Sequence, residues 1–306
     1  MEQLFDTKKS ILQELSSDLL RTHNVRLYVK RDDLIDQNVS GNKWRKLKYN
    51  VLQALNKKCD TILTFGGAFS NHLVATAAAC KKAGLKSIGI VRGEELNENS
   101  NETLKKCVEF GMLLKFVSRS EYQLKSDDLY LKDLHLEYPS SYIVPEGGSN
   151  FYGLIGCQEI IKEIKENFDQ VFVAQGTSAT SCGIILSLSR NTFLNVVPVL
   201  KNYDSLSEMR RLLNYSLFDE EITEELLNKV LVHSDAHFGG YGKFNKELID
   251  FINQVNQEYN LPLDYVYTGK VFYQIIKMIQ SGELENQSVL FIHTGGLQGN
   301  QLVTKF

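Results

Sequence analysis

Lys43 is the side chain of this sequence best suited to covalent chemistry on a carbonyl group. It lies in the run SGNKWRKL at residues 40–47, where Asn42 is a residue type that commonly caps helices. A lysine in the first turn of a helix meets the positive end of the helix dipole, which disfavours the ammonium form. The neutral amine is the form that makes a Schiff base. The alternative is a solvated basic helix face, because three further basic residues follow by position 48.

A second motif, FGGAFSNH at residues 65–72, could bind a carboxylate. Its glycines permit a sharp turn from a strand into a helix. Ser70 and Asn71 would then lie beside the free N–H groups of a helix N-terminus, which attract anions. The same residues also fit an ordinary capped helix start, and His72 fits a structural histidine better than a catalytic one.

A third motif, QGTSATSCG at residues 175–183, could bind a phosphate group. It follows the apolar run QVFVA, and its small residues would let several N–H groups converge on one anion. It lacks both the GK[ST] ending of a nucleotide P-loop and the GxGxxG pattern. Cys182 in this segment fits a packing role.

Three shorter motifs also carry side chains that could contact a ligand. They are GGYG at 239–242, which contains Tyr241, YVYTGK at 265–270, and HTGG at 293–296. Each of them, taken alone, also fits ordinary turn chemistry.

The elements that would position these motifs alternate between strand and helix along the chain. Two such runs, at about 58–118 and about 140–200, predict two open parallel sheets covered by helices. Most of the candidate motifs follow a predicted strand. Because ligands of open parallel sheets bind beyond the carboxyl ends of the strands, this arrangement is a first indication of a ligand site.

The composition argues against several other classes of protein. The chain has 306 residues, 43% of them hydrophobic, and its net charge of −3 gives no electrostatic case for nucleic-acid binding. Its apolar runs are too short to span a membrane, and the N-terminal segment lacks the apolar run of a signal peptide. The five cysteines are scattered without a CxxC pair, which predicts neither a zinc site nor a disulfide framework. We therefore expect a cytoplasmic protein without a metal.

Five runs of the sequence together resemble the D-cysteine desulfhydrase and 1-aminocyclopropane-1-carboxylate (ACC) deaminase family of pyridoxal-phosphate enzymes. They are SGNKWRKL, FGGAFSNH, PEGGSNFYGLIG, YTGK and HTGG, which occur here in the family's order. The resemblance implies an α/β fold of the tryptophan synthase β-like type (fold type II). Such a fold has two open twisted parallel-sheet domains with the cofactor in the cleft between them. It also implies a homodimer, a larger domain of residues 1–50 and 141–306, and a smaller inserted domain of residues 51–140.

The resemblance assigns roles to individual residues as well. Lys43 would hold pyridoxal 5′-phosphate as a Schiff base, Asn71 would bond its phenolic oxygen, and Thr294 would face its pyridine nitrogen. The phosphate group would bind to the loop of Gly176, Thr177, Ser178, Ala179 and Thr180. The implied catalytic residues are Lys43, Ser70, Tyr241 and Tyr267. The implied substrate-binding residues are Ser70, Asn71, His72 and Thr268.

The chain departs from the family pattern at a few places around these motifs. Ser40 stands where the family often has glycine, and Trp44 replaces a more usual threonine. The phosphate loop has fewer glycines than usual, with Ser178 and Ala179 in their place. These differences bear on loop geometry, and every group needed for the chemistry of Lys43 is retained.

The reaction implied is a β-elimination on a small amino acid, with D-cysteine giving pyruvate, sulfide and ammonia. ACC deamination to 2-oxobutanoate and ammonia is the alternative. The deaminase branch carries Glu where this chain has Thr268 and Leu where it has Thr294, so both positions favour the desulfhydrase. A neutral Thr294 makes the cofactor ring a weaker electron sink than aspartate would, which suits elimination at Cβ. A non-catalytic binder of phosphorylated metabolites is a remote alternative, which the retention of Lys43 disfavours.

Overall fold

The computed structural model describes residues 5–39, 41–297 and 300, so Ser40 lies outside the described residues. The chain forms two compact units. The smaller contains residues 5–6, Asp36–Val39 and Lys43–Gly156, and the larger contains Thr7–Ile35, 41–42, 157–297 and 300. The predicted domain boundaries at residues 51 and 140 stay a prediction.

The strands of the described residues follow the predicted alternation with helices. In chain order they are β1 (Leu12–Leu15), β2 (Arg26–Lys30), β3 (Thr61–Gly67), β4 (Lys86–Arg92), β5 (Met112–Val117), β6 (Ser141–Val144), β7 (Gln170–Gln175), β8 (Phe193–Pro198), β9 (Val230–Val232) and β10 (Ser288–Ile292).

The helices of the described residues lie between these strands. They are α1 (Asp18–Thr22), α2 (Asn42–Asn56), α3 (Asn71–Ala83), α4 (Glu102–Glu109), α5 (Arg119–Gln123), α6 (Asp128–Glu137), α7 (Phe151–Lys162), α8 (Ala179–Ile185), α9 (Ser205–Leu217), α10 (Glu220–Leu227), α11 (Lys246–Tyr259) and α12 (Thr268–Gln280). Within the part of the chain that the structure describes, no helix has both the length and the apolar character needed to cross a bilayer.

The larger unit is built on a six-stranded sheet in the order β1-β2-β10-β7-β8-β9. All neighbouring strands run parallel except β1, which pairs antiparallel with β2. Every residue of β10 is buried, as expected for a strand covered on both faces. Phe172 of β7 and Phe291 of β10 share one hydrophobic core with Phe272 of α12. This core holds α12 against the sheet.

The smaller unit is built on a four-stranded sheet in the order β5-β4-β3-β6, in which all pairs are parallel. Separate hydrophobic clusters pack around it, one containing Leu73 of α3 with Leu104 of α4, the other containing Phe65 of β3 with Tyr122 of α5. The central strand β3 ends at Gly67, so Phe69, Ser70 and Asn71 of the FGGAFSNH motif lie beyond its carboxyl end. The predicted α/β class with two largely parallel sheets is confirmed.

In the smaller unit, α2 packs against the first half of α7. The two helices are so close at one point that no side chain would fit between them. Gly156 of α7 is buried, and a Cβ added to it would lie only 1.9 Å from the Arg45 backbone carbonyl oxygen. Because the obstructing atom is backbone, it cannot move without shifting α2. Glycine is required there by close approach.

We expect Gly156→Ala to destabilise the protein by about 3 kcal/mol, the upper range for overpacking a rigid contact. Urea denaturation monitored by circular dichroism would measure the change in unfolding free energy. Gly67→Ala is the matched control, because its Cβ would meet only the flexible end of Arg92, at 3.6 Å. Equal stabilities for the two variants would contradict the packing argument.

Candidate active site

The backbone just before Lys43 is fixed by close contact with the HTGG loop. Gly41 has a left-handed φ of 60°, and a Cβ added to it would fall 1.8 Å from the carbonyl oxygen of Thr294. The Asn42 backbone N–H donates to that same oxygen at 3.2 Å. Only glycine fits this approach, which explains the glycine at position 41 of the motif.

Asn42 also contacts the predicted phosphate loop. Its side-chain Nδ2 donates to Thr180 Oγ1 at 2.9 Å. The sequence predicted Asn42 as a helix cap, whereas the structure begins α2 at Asn42 itself and uses its amide to reach Thr180. Asn42 thus joins the first turn of α8 to the loop after β10, and Lys43 is the next residue in the chain.

The predicted phosphate loop connects β7 to α8 through Gly176, Thr177 and Ser178. The Ser178 hydroxyl accepts a hydrogen bond from Gln175 Nε2 at 3.0 Å and lies 3.1 Å from the Tyr203 hydroxyl. A Cβ added to Gly176 would lie 3.4 Å from the Tyr267 ring, so the loop begins beside that aromatic side chain. Side chains of the larger unit therefore hold this loop from both ends.

The chemistry of this loop fits a phosphate ester. The first N–H groups of a helix have no acceptor within the helix, and α8 begins at Ala179. Ser181 Oγ is buried without a hydrogen-bond partner among the described residues. Leaving such a group unsatisfied costs about 1–3 kcal/mol, which a phosphate oxygen accepting from it would offset. The residues present thus match the phosphate group of pyridoxal phosphate.

The YTGK segment is organised by a buried carboxylate that the sequence reasoning missed. Asp264 accepts hydrogen bonds from the backbone N–H groups of Val266, Tyr267 and Thr268, and from the Thr268 hydroxyl. Thr268 Oγ1 in turn accepts from the Asp264 N–H at 2.9 Å. The hydroxyl of Thr268 is therefore bonded as donor and acceptor inside the turn, while its role in substrate binding stays a prediction.

Two of the predicted catalytic residues meet in the larger unit. The rings of Tyr241 and Tyr267 pack edge to face, with centroids 6.0 Å apart. Tyr241 is 45% exposed, so its ring is accessible to a ligand. A Cβ on Gly296 would lie 3.1 Å from the Asp264 carboxyl group, so the HTGG loop also reaches the turn that carries Tyr267.

In the smaller unit, Ser70 and Asn71 lie where β3 passes into α3. Asn71 is the first residue of α3, and Ser70 precedes it. A Cβ on Gly66 would lie 2.7 Å from Ser70 Oγ, so the glycine makes room for that side chain. Both residues thus take the predicted place at a helix N-terminus.

His72 is buried, and its tautomer follows from its neighbours. The Thr64 hydroxyl donates to the Val144 carbonyl oxygen at 2.7 Å and must accept from His72 Nε2, at 2.9 Å. Nδ1 then carries a lone pair, with no hydrogen-bond partner among the described residues. Burial, reinforced by the positive charges of Lys43 and Lys46, holds the pKa of His72 well below its usual range. His72 is therefore neutral, and its electrostatic coupling to Lys43 brings these two predicted residues into one region.

A cavity of about 640 Å³ opens in the smaller unit beside the same β3–α3 turn. Its wall includes Ala68 and Phe69, and the side chains of Arg92, Tyr122 and Glu146. It adjoins Ser70 along the chain, but the predicted catalytic and binding residues are not part of its described wall. The cavity wall contains charged residues such as Arg92 and Glu146, whereas residues 176–178 of the predicted phosphate loop carry no charge.

Proteins of known sequence and structure resemble this chain over most of its length. A protein of Pyrococcus abyssi with a provisional ACC deaminase name is 35% identical over 96% of this chain and 90% of its own length. A bifunctional D-cysteine desulfhydrase/ACC deaminase of Arabidopsis thaliana is 32% identical over 90% of this chain and 74% of its own length.

The fold is also found in a crystal structure described as an ACC deaminase homologue. That structure is 29% identical, has a TM-score of 0.79, and is matched over 97% of this chain and 93% of its own. The family model for pyridoxal-phosphate dependent enzymes matches residues 12–295. The chain therefore belongs to the family of pyridoxal-phosphate dependent enzymes.

Proposed function

We propose that the protein catalyses the β-elimination of D-cysteine to pyruvate, sulfide and ammonia. The observation that carries the proposal is the pair of bonds made by Asn42, to Thr180 and to Thr294, directly before Lys43 in the chain. Asn42 thus contacts two segments that we propose to bind the cofactor, and it directly precedes the lysine that we propose to carry it. When bound, pyridoxal phosphate supplies a carbonyl that amines condense with and a ring that accepts electrons from the substrate Cα.

Particular residues are proposed to hold the cofactor. Lys43 would attach it through Nζ, and Asn71 and Thr294 would bond its ring. The loop of Gly176, Thr177, Ser178, Ala179 and Thr180 would hold the phosphate group through its N–H groups, with the buried Ser181 hydroxyl as an additional donor.

Another set of residues is proposed to handle the substrate. Ser70 and Asn71, at the N-terminus of α3, would bind its carboxylate, which the positive charge of Lys46 also favours. His72 is neutral and can orient a substrate group through Nδ1. Thr268 is fully buried with its hydroxyl bonded to Asp264, so its proposed part in substrate binding would be to shape the turn that carries Tyr267.

Proton transfer is proposed for Lys43 together with Ser70, Tyr241 and Tyr267. Lys43 is the group that would take the Cα proton once its amine is released. A tyrosine hydroxyl can pass a proton in either direction when it is held in contact with the reacting group. The edge-to-face packing of Tyr241 and Tyr267 supports their acting as a pair.

ACC deamination is the second candidate, because relatives carry that name, one of them together with D-cysteine desulfhydrase. Thr268 and Thr294 favour the desulfhydrase. Neither has a titrating group to assist ring opening, whereas a thiolate leaves Cβ without a strong acid. A non-catalytic binder of phosphorylated metabolites would have no use for Lys43.

We further propose a cytoplasmic homodimer, and free cysteines at all five positions support a reducing compartment.

Lys43→Ala is expected to abolish covalent capture of the cofactor. The purified protein should absorb near about 410–430 nm and yield a borohydride-reduced adduct on the peptide containing residue 43, as expected of a lysine-bound cofactor. Lys48→Ala, on the same helix, is the control and should retain both signals. An adduct of undiminished yield in Lys43→Ala would show that another lysine carries the cofactor.

Ser181→Ala should weaken pyridoxal-phosphate binding about tenfold, the loss of one charge-assisted hydrogen bond of roughly 1.4 kcal/mol. The stability of the cofactor-free protein should hold or rise, because an unsatisfied buried hydroxyl is removed. Fluorescence titration and thermal unfolding would measure the two effects. Ser187→Ala is the matched control, since Ser187 Oγ is also buried without a described partner but lies outside the loop. Equal affinities in both variants would count against the phosphate placement.

The substrate assignment predicts sulfide and pyruvate from D-cysteine, with little 2-oxobutanoate from ACC. The reason is the neutral character of Thr268 and Thr294 together with the low pKa of the departing thiol. D-cysteine, L-cysteine, D-serine and ACC should be assayed side by side with saturating cofactor, using 2-oxo acid and sulfide detection. A preference for ACC would overturn the substrate assignment and leave the cofactor chemistry intact.

A further inference from the structure

Lys270 is a fully buried lysine whose ammonium group is bonded to backbone carbonyls. It lies in the first turn of α12, and its Nζ donates to the carbonyl oxygens of His237 at 2.8 Å and Gly240 at 2.9 Å. Burial lowers the pKa of Lys270 to about 8, against the opposing effect of the Asp264 carboxylate. Lys270 is therefore mainly charged at neutral pH, and charge-assisted bonds to carbonyls are the stronger kind.

The two carbonyls belong to a loop with an unusual backbone. Phe238, Gly239, Gly240 and Gly242 all have left-handed φ values, of 51°, 92°, 117° and 66°. Glycines adopt such values at little steric cost but lose much conformational freedom on ordering. Within the loop, the Gly240 N–H donates to the His237 carbonyl oxygen at 3.0 Å and the Lys243 N–H donates to the Gly240 carbonyl oxygen at 3.1 Å. Lys270 adds a second donor to each of these carbonyls and ties both turns to α12.

Tyr241 is the one residue of GGYG with a side chain, and this loop carries it. Its ring meets that of Tyr267, which immediately precedes α12 and whose N–H donates to Asp264. The start of α12 therefore holds both tyrosines: Tyr267 through the Asp264 turn, and Tyr241 through the bonds of Lys270 to the preceding carbonyls.

We propose that Lys270 is a positioning residue for catalysis, which holds the glycine loop so that the Tyr241 hydroxyl is presented to the substrate beside Tyr267. The proposal rests on the proposed function for the role of the two tyrosines. Lys270 has no exposed surface, so it acts through Tyr241 and not on the substrate. Tyr273, one turn further along α12, supports the same loop by packing on Phe238 at a centroid distance of 5.0 Å.

Hydrogen exchange of the full-length protein tests the structural half of the proposal. Lys270→Met keeps the length and apolar stem of the side chain but removes every donor. We expect amides of the peptide covering residues 237–243 to exchange at least tenfold faster in this variant, with and without added pyridoxal phosphate. Lys277→Met makes the same chemical change at an exposed site of the same helix and should leave this peptide unchanged. Unchanged exchange in Lys270→Met would overturn the proposal.

A double-mutant cycle tests the catalytic half. Lys270→Met should lower kcat about tenfold or more with a smaller change in KM, and should add little to the loss already caused by Tyr241→Phe. Residues that act through one another give such coupling, whereas independent effects multiply. Multiplicative losses, or an undiminished kcat in Lys270→Met, would refute positioning through Tyr241.

Two further measurements keep the test decisive. If Lys270→Met does not fold, Lys270→Gln provides a shorter neutral donor that cannot reach both carbonyls. It should give faster exchange of residues 237–243, and wild-type exchange would again overturn the proposal.

Borohydride capture at Lys43 should persist in the Lys270 variants. Its absence from the wild-type protein would refute the proposed function, while the exchange result would still stand or fall on its own.

Discussion

The arrangement of the candidate site depends on the hydrogen bonds of Asn42. Its N–H holds the carbonyl of Thr294 and its side chain holds Thr180, so one residue links the segments that follow two neighbouring strands of the larger sheet. The approach is possible only because Gly41 has no Cβ and adopts a left-handed φ. A side chain at this position would separate the HTGG loop from the start of α2. Lys43 follows Asn42 directly in the chain, so one peptide bond separates it from this contact.

Buried charges organise the remaining loops, and each charge is met by backbone groups. The Asp264 carboxylate gathers three N–H groups of the turn before α12, and the Lys270 ammonium gathers two carbonyls of the GGYG loop. A charge without such partners would be expensive to bury. With them, the charges order loops that contain few side chains able to pack. Asp264 and Lys270 both lie at the N-terminal end of α12, and Phe272 packs that end of the helix into the core of the larger unit. The same packing therefore also supports the turn before α12 and the GGYG loop.

The sequence allowed the fold class to be predicted, because most strands and helices carry clear apolar periodicity and stop at glycine or polar residues. It did not reveal β1, α1, α5, α6, α10 or β9, which are short or irregular in pattern. In the site, the loops themselves were predicted from their glycines and hydroxyls. Asp264 was missed because a lone aspartate before a turn carries no signal until its three N–H partners are seen together. Thr268 shows the same limit, since its hydroxyl bonds to that unpredicted carboxylate.

Each unit of the chain provides its own surroundings for an anion. In the smaller unit, His72 is kept neutral by burial and by the nearby charges of Lys43 and Lys46, so the field there is positive without a second titrating group. Such a field, beside the N-terminus of α3, favours a carboxylate. In the larger unit, the loop before α8 offers backbone N–H groups and hydroxyls in place of lysine or arginine, which suits the phosphate group that we propose it binds. In the proposed function, fixed backbone dipoles would hold the phosphate group, whereas side-chain charge would favour the substrate carboxylate.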